Sequence, residues 1–250
     1  PGGRDAAFRL ASRADVLIEN FRPHVPARLG IDYATVAAVN PTVVYASVTG
    51  FGTTGPNCMM PATDTVMQGY TGLMSINRDQ SGLPRRISML AIDYSTGLYM
   101  TQAVFAALYR RATTGKGAHI ETSLLDSAMA FQESRLVAQV FEGSAVQPVG
   151  APVGTFATAT GYLSLNARRD VHFGALCKIF GTEEWCVDQR FDSEQKRLVN
   201  ADAINDLVAP LIAAKPTSHW VDVLSKADIL NAPVHDYGDL FDDPQIKAGE

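Results

Sequence analysis

The amino-acid sequence predicts an α/β fold, and three observations support that class. Residues 14–18 and 42–49 are short apolar segments with β-branched members, a pattern typical of buried strands. Residues 33–39 lie between them with helical character, and strand–helix–strand order favours a parallel sheet. Hydrophobic residues make up 46% and charged residues 19% of the 250 residues, which is the balance of a globular protein.

The other elements of the first part of the chain follow from apolar spacing and from breaks at glycine and proline. Residues 4–13 have helical spacing, and the strand that follows them cannot extend through Pro23. A loop rich in Gly, Pro and Thr occupies residues 50–62. The further predicted elements are a helix at 64–75, a polar turn at 77–86, an apolar stretch at 87–92, a helix at 94–111 with glycine after it, a strand at 119–122 and a helix at 124–141.

The composition changes at residues 143–152, where glycine, serine and proline are frequent, as in linkers between domains. Residues 155–165 alternate loosely around Thr160 and Gly161 and predict a β-hairpin. Helices are predicted at 171–180, 200–213 and 217–226. We therefore expect residues 1–145 to form part of a large α/β domain and residues 146–250 to form a small α+β domain.

Charge and composition exclude several classes of function. The net charge of −5, from 21 basic and 26 acidic residues, provides no basic surplus for nucleic acid. No apolar run approaches the roughly 18 residues of a membrane span, and the first residues do not resemble a signal peptide. Three cysteines and five histidines at unrelated spacings indicate reduced thiols and no metal site. The sequence thus predicts a cytoplasmic protein that binds neither nucleic acid, membrane nor metal.

The loop that follows the second predicted strand contains a nucleotide-binding pattern. Residues 50–55, with the sequence GFGTTG, match G-x-G-x-x-G, in which the last glycine opens a helix that meets a pyrophosphate. Pro56 follows directly, and no helix is predicted to begin there. The context therefore favours a glycine loop that shapes some other pocket over a dinucleotide site. The P-loop and nucleophile-elbow patterns are both absent from the sequence.

Asp93 is the most informative carboxylate, because it lies between an apolar stretch and a helix, where strand ends meet a cleft in α/β folds. One interpretation is that Asp93 caps the helix by accepting backbone N–H bonds. The other is that the helix N-terminus holds the carboxylate ionised, ready to act as a nucleophile. Similarly, Arg22 and Arg28 follow the first strand, where they either pair with phosphates or remain solvated.

Several ordered blocks of the sequence resemble family III CoA-transferases, also called the CaiB/BaiF family. Asp93 to Gly97 match the family's catalytic D-x-x-T-G segment, and residues 47–56 match its S-x-S/T-G-F-G-x-x-G-P loop. The other similar blocks are 14–23, 28–30, 40–41, 64–75 and 106–117. The blocks agree in order and spacing, and the similarity covers nearly the whole chain.

The resemblance implies both a fold and an activity. The implied fold has a Rossmann-like large domain with a parallel sheet, incomplete here, and a smaller α+β domain, in interlocked homodimers. The implied activity is transfer of CoA from an acyl-CoA to a carboxylic acid, with CoA thioesters as substrates and no permanently bound cofactor. It further implies that parts of the large domain, including its first strand and helix, are missing from the ends of this chain.

The resemblance also implies roles for individual residues. Asp93 aligns with the family's catalytic aspartate, whose carboxylate attacks the thioester and passes through anhydride and thioester intermediates. Asn20, Phe21, Arg28 and Leu29 align with residues that line the CoA site, where the arginine contacts the phosphates. The glycine loop at 50–55 would then border the CoA or acyl pocket.

The sequence departs from the family pattern at a few positions, which leaves two alternatives open. The racemase branch has a histidine directly before the aspartate that is Asp64 here, whereas this chain has Thr63. His24 replaces the usual glycine, and Gly150 and Gly154 are weak counterparts of a glycine-rich loop that closes over intermediates. The alternatives are an acyl-CoA racemase or epimerase of the same fold, and a non-catalytic CoA-binding member.

Overall fold

The structure is a computed structural model that describes residues 2–79, 81–143 and 148–249. By their internal contacts the residues divide into two compact units, Pro1–Ala145 and Val146–Glu250. Among the described residues, the first unit contains a three-stranded parallel sheet and the second a three-stranded antiparallel sheet. This confirms the predicted α/β class. Residues 144–147 of the predicted linker lie outside the described residues.

The first unit alternates helices and strands. Its helices are α1 (Gly2–Ala11), α2 (Val25–Leu29), α3 (Tyr33–Val39), α4 (Asp64–Tyr70), α5 (Ala91–Thr114), α6 (Leu124–Phe131) and α7 (Glu133–Glu142). Its strands are β1 (Val16–Glu19), β2 (Val44–Thr49) and β3 (Ala118–Ser123), and a 3₁₀ turn spans Leu73–Ile76. The predicted parallel pairing of the first two strands around a helix is confirmed, with β2 in the centre.

The direction of α5 determines where its first turn lies. Arg111, near the end of α5, donates hydrogen bonds to the backbone oxygens of Asp15 and Thr42 at 3.1 and 3.3 Å. Asp15 directly precedes β1, and Thr42 lies two positions before β2, so α5 runs antiparallel to the strands. The first turn of α5, which contains Asp93, therefore lies toward the edge at which the three parallel strands end, called here the carboxyl edge.

Several predicted elements of this unit differ from the structure. The helix predicted at 64–75 ends at Tyr70 and is followed by the separate 3₁₀ turn. The helix predicted at 94–111 begins earlier, at Ala91, and the apolar stretch at 87–92 does not form a strand that ends at Asp93. The reason is that the Gln68 side chain bonds the backbone of this stretch in place of a neighbouring strand. The helix predicted at 124–141 divides at Gln132, whose amide donates to the Ala128 carbonyl and to Thr71.

The second unit packs helices against its own sheet. It contains β4 (Val153–Thr158), β5 (Gly161–Asn166), α8 (Asp170–Phe180), a 3₁₀ turn (Glu183–Cys186), α9 (Glu194–Val199), α10 (Ala201–Ala213), α11 (Thr217–Lys226), β6 (Leu230–Pro233), α12 (Tyr237–Leu240) and α13 (Pro244–Lys247). The predicted hairpin is confirmed by the pairing of Thr158 with Gly161, and α8, α10 and α11 match the predicted helices closely. Pairing of β6 with β5 was not predicted.

Candidate active site

The first turn of α5 packs against the glycine loop at the carboxyl edge of the parallel sheet. Ile92 is fully buried in a hydrophobic cluster with Phe51 from the loop and Met67 from α4. Asp93, the next residue, is exposed to solvent. Burial of Ile92 therefore anchors the turn, and the neighbouring carboxylate is left accessible to a substrate.

Asp93 does not cap its own helix. The residue at the N-cap position is Leu90, whose side chain makes no capping hydrogen bond. The backbone N–H groups of Ile92 and Asp93 instead donate to Oδ2 of Asp64, at 2.8 and 3.3 Å. The interpretation of Asp93 as a helix cap is therefore wrong, because a carboxylate from α4 occupies that role.

Asp64 and Gln68 form a buried pair on one face of α4. Asp64 is 1% exposed and Gln68 is 0% exposed. Nε2 of Gln68 donates to Oδ1 of Asp64 at 2.6 Å and to the carbonyls of Ile87 and Met89 at 3.3 and 3.1 Å, while its Oε1 accepts from the Ile87 N–H at 2.8 Å. One side chain thus joins α4 to the chain segment that leads into α5.

The environment of Asp93 changes its acidity. Desolvation by the surrounding protein, and secondly the negative charge of Asp64, raise the pKa of the Asp93 carboxyl above its ordinary value of 3.8. A helix N-terminus alone would favour the ionised form, as one interpretation of the sequence predicts. The direction is reversed mainly because the surrounding protein desolvates the carboxylate, and secondly because Asp64, which accepts the N–H bonds of the first turn, adds a like charge beside it.

The residues predicted to line a CoA site fall into two groups. Asn20 and Phe21 directly follow β1 at the carboxyl edge, and both are exposed. Buried Glu19 shapes this turn, because its carboxylate accepts the Phe21 N–H at 2.8 Å. Arg28 and Leu29 lie further along, at the end of α2, where Arg28 is exposed and Leu29 half-buried.

Of the segments that the resemblance assigns to the site, the glycine loop is the one that the described contacts bring to the first turn of α5. The loop at 50–55 reaches α5 through Phe51, whereas no hydrogen bond or ion pair joins Arg28 to Asp93 in the described parts of the chain. Within the loop, Gly52 and Gly55 have φ angles of 89° and 88°, which favour glycine. The Gly52 N–H donates to Oγ1 of Thr49 at 3.1 Å, which ties the loop to the end of β2.

Of the departures from the family pattern at Thr63 and His24, the first has a local structural role. Thr63 is the N-cap of α4, and its hydroxyl accepts the Val66 N–H at 3.5 Å. His24 precedes α2 as its N-cap residue and makes no side-chain capping bond. Among the residues that the structure describes, no hydrogen bond or ion pair joins either one to Asp93.

Three residues near the site were given no role from the sequence, namely Glu19, Asp64 and Gln68, although the last two belong to the block 64–75 that resembles the family. For the last two, the available signal was a polar pair four positions apart on a predicted helix, which places both side chains on one face. Because both side chains are buried, they bond the chain segment before α5 and the first turn of α5 instead of facing solvent. Within residues 2–79, 81–143 and 148–249, no group of three His, Cys, Asp or Glu side chains could hold a metal ion.

Comparison with known proteins identifies similar sequences and structures. The family model described as CoA-transferase family III matches residues 1–250. The chain is 35% identical to acetyl-CoA:oxalate CoA-transferase of Acetobacter aceti and 30% identical to succinate–glutarate CoA-transferase of Agrobacterium fabrum, over 99% of its length in each case. These alignments cover 65% and 64% of the two relatives, so the chain spans just under two thirds of their length.

Solved structures match to the same extent. A crystal structure of Rv3272 from Mycobacterium tuberculosis superimposes with a TM-score of 0.91 at 27% identity, covering 99% of this chain and 68% of that one. A CAIB/BAIF family protein from Brucella suis gives a TM-score of 0.86 at 32% identity, covering 99% and 67%. In the described part of the chain, no helix has the length and apolar character required to cross a membrane.

Proposed function

The chain belongs to CoA-transferase family III, and we propose that the protein transfers CoA between carboxylic acids with Asp93 as the nucleophile. The observation that carries this proposal is the exposed Asp93 carboxylate at the start of α5, beside the glycine loop. No N–H or O–H group donates to that carboxylate among residues 2–79, 81–143 and 148–249, so it remains available for reaction. Its raised pKa makes it a stronger nucleophile than an ordinary aspartate.

The proposed reaction consists of four nucleophilic attacks, and each forms or breaks a bond to the Asp93 carboxyl group. An Asp93 oxygen attacks the thioester carbonyl, the C–S bond breaks, and CoA leaves as the thiolate from an acyl-aspartyl anhydride. The thiolate attacks the aspartyl carbonyl, which releases the donor acid as its carboxylate and leaves an aspartyl-CoA thioester. The acceptor carboxylate attacks that thioester, giving a second anhydride and thiolate. Attack of the thiolate on the acceptor's acyl carbon forms the new acyl-CoA and restores Asp93, without net consumption of protons.

The remaining predicted site residues would hold the CoA portion of the substrate. Arg28 is exposed and has a fixed positive charge, which suits a phosphate group of CoA. Asn20 and Phe21 would line the pocket at the carboxyl edge, with Leu29 beside them. Two relatives are named for oxalate and for succinate and glutarate, which supports a short dicarboxylic acid as the acceptor.

Thr63 supports the transferase over the racemase alternative. Two-base exchange at an α-carbon needs a proton acceptor on each face of the substrate. The threonine hydroxyl at this position cannot act as a general base near neutral pH, and it already caps α4. The proposed transferase therefore does not incorporate deuterium at the acyl α-carbon.

The proposed assembly is an interlocked homodimer located in the cytoplasm. The support for a dimer is an apolar stripe on one face of α5. Its members are each 65–75% exposed: Tyr94, Leu98, Phe105 and Tyr109. Apolar side chains of this size are normally covered by a partner surface. Light scattering on the purified protein measures the oligomeric state, and a monomer at micromolar concentration would contradict this assembly.

Trapping of the intermediate tests the proposed reaction. The purified protein is incubated with radiolabelled acyl-CoA donors, with and without dicarboxylic acids, and then treated with hydroxylamine or borohydride. The expected result is modification confined to Asp93, with no modification and no exchange in Asp93→Ala despite a native circular dichroism spectrum. Full exchange by Asp93→Ala would overturn the role of Asp93. Binding of acyl-CoA without any adduct or exchange would instead indicate a non-catalytic family member.

A further inference from the structure

The first turn of α5 obtains its hydrogen-bond acceptor from another helix. Leu90 offers no capping side chain, and the N–H groups of Ile92 and Asp93 would otherwise need a partner. An aspartate at the third position of a helix often satisfies such groups itself. Here Asp64 accepts both bonds, so the Asp93 side chain is released from that role.

The position of Asp64 is held firmly. It is 1% exposed, and its second oxygen accepts a 2.6 Å hydrogen bond from Gln68, which is itself bonded to the backbone at Ile87 and Met89. Rotation of Asp64 would leave the N–H groups of Ile92 and Asp93 without their acceptor and would remove one of the hydrogen bonds that the Gln68 amide donates, which is unfavourable. The Asp64 carboxylate therefore restrains the backbone at Ile92 and Asp93.

We propose that Asp64 is the positioning residue of the transferase reaction: it caps α5 in place of Asp93, and its charge strengthens the Asp93 carboxylate as a nucleophile. This inference rests on the proposed function of Asp93. Gln68 contributes by fixing the orientation of Asp64. Asp64 does not touch the substrate, because it is buried beneath the first turn of α5.

The test compares two variants of Asp64 with a matched control elsewhere. Asp64→Asn keeps an acceptor oxygen but removes the charge and places an amide against the Gln68 amide. Asp64→Glu keeps the charge but displaces the oxygen. The control is Asp243→Asn, because Asp243 likewise accepts two consecutive N–H groups, of Gln245 and Ile246, at the start of α13.

The expected kinetic result separates positioning from simple loss of structure. In Asp64→Asn, kcat falls on the order of ten- to a hundredfold with the KM for acyl-CoA nearly unchanged, since misplacement of a reacting group acts mainly on the chemical step. The acidic limb of the pH profile moves to lower pH, because a like charge has been removed. Asp64→Glu lowers kcat but retains the wild-type acidic limb, and Asp243→Asn matches wild type in both.

Several results would overturn the proposal. Wild-type kcat in Asp64→Asn would do so, as would a lower kcat with an unmoved acidic limb. Should Asp64→Asn fail to fold, Asp64→Glu is decisive: a lower kcat at constant KM supports the proposal, and wild-type kcat contradicts it. An NMR titration of the Asp93 carboxyl carbon in wild type and a folded Asp64 variant needs no activity. It therefore tests the coupling between Asp64 and Asp93 even if Asp93→Ala retains exchange and the proposed function fails.

Discussion

At the scale of single residues, the role of Asp93 depends on a contact that spans 29 positions of the sequence. An aspartate near a helix start is compatible with capping or with chemistry, and local sequence does not distinguish them. The motif around Asp93 identified the residue, but capping by Asp64 is a tertiary contact without a periodic signal. The position of the candidate nucleophile was therefore predictable, while the group that supports it was not.

The raised pKa of Asp93 predicts a cost in stability at neutral pH. Because this pKa is higher in the folded chain than the ordinary 3.8, the folded state binds more protons between the two values. Folding stability contributed by this group therefore falls as the pH rises through that window. Asp93→Asn is expected to melt at a higher temperature than wild type at pH 7, with the difference vanishing toward pH 3.8, as measured by calorimetry.

Asp188 provides a control of opposite sign for this prediction. Hydrogen bonds from Arg190 lower the pKa of Asp188 to about 2, so its contribution to stability is present above 3.8 and is lost as the pH falls toward 2. Asp188→Asn should therefore melt at a lower temperature than wild type at pH 7. Equal melting temperatures of Asp93→Asn and wild type at pH 7 would show that Asp93 is not perturbed.

A second residue-scale prediction concerns binding of CoA by Arg28. Arg28→Ala is expected to raise the KM for acyl-CoA roughly ten- to a hundredfold with little effect on kcat, because a charge-assisted bond to phosphate is worth about 1.5–3 kcal/mol. The rise should shrink at high salt. Arg13→Ala is the matched control, since Arg13 is also exposed but lies just before β1, at the opposite edge of the sheet. Equal effects of both variants would contradict a specific site at Arg28.

At the scale of elements, those with strong local patterns were predictable and those that depend on partners were not. Helices α3 and α10 agree with their predicted bounds because apolar spacing and flanking breakers mark them. Strand β6 has only four residues, one of them proline, and exists because β5 offers it an edge. The break at Gln132 likewise depends on a hydrogen bond to distant Thr71.

The connection between α5 and β3 contains two glycines that should respond differently to alanine. Gly115 ends α5 with φ of 69° and has open space around its Cα, so Gly115→Ala costs about 1 kcal/mol from backbone strain alone. A Cβ on Gly117 would collide with the backbone at Val43 and lie 2.8 Å from the Pro41 oxygen. Gly117→Ala must therefore displace β3 from β2, at a cost of about 3 kcal/mol.

Urea denaturation of both variants checks this difference. The order matters more than either value, because the two substitutions add the same atoms to the same connection. A cost for Gly117→Ala no greater than that for Gly115→Ala would show that β3 tolerates a side chain at its start. In that case the close approach of Gly117 to β2 would not explain the glycine there.

At the scale of the whole molecule, each unit buries a core of its own. In the second unit one cluster includes Leu163, Leu176 and Ile212, and a second includes Phe173 and Phe191. Arg197 joins α9 to several other segments of the second unit. It is 1% exposed, and it donates hydrogen bonds to Asp170 and to three backbone carbonyls, those of Ala151, Arg168 and Phe191. These contacts lie entirely inside the second unit.

We therefore expect residues 148–249 to fold when expressed alone. A segment of about 100 residues with its own core is a common size for an independent domain. The measurement is a cooperative thermal transition by circular dichroism, together with dispersed amide signals by NMR. A fragment without cooperative melting at 25 °C and above would contradict this expectation.

The substitution Arg197→Met tests whether the second unit loses the same stability in the fragment as in the whole chain. The substitution keeps much of the apolar volume but leaves buried carbonyl groups without donors, so it should destabilise the second unit by about 3 kcal/mol. If that unit folds independently, the loss is the same in the fragment and in the full chain, where it affects only one of two calorimetric transitions. A larger loss in the full chain, or a shift of both transitions, would show that the two units unfold as one.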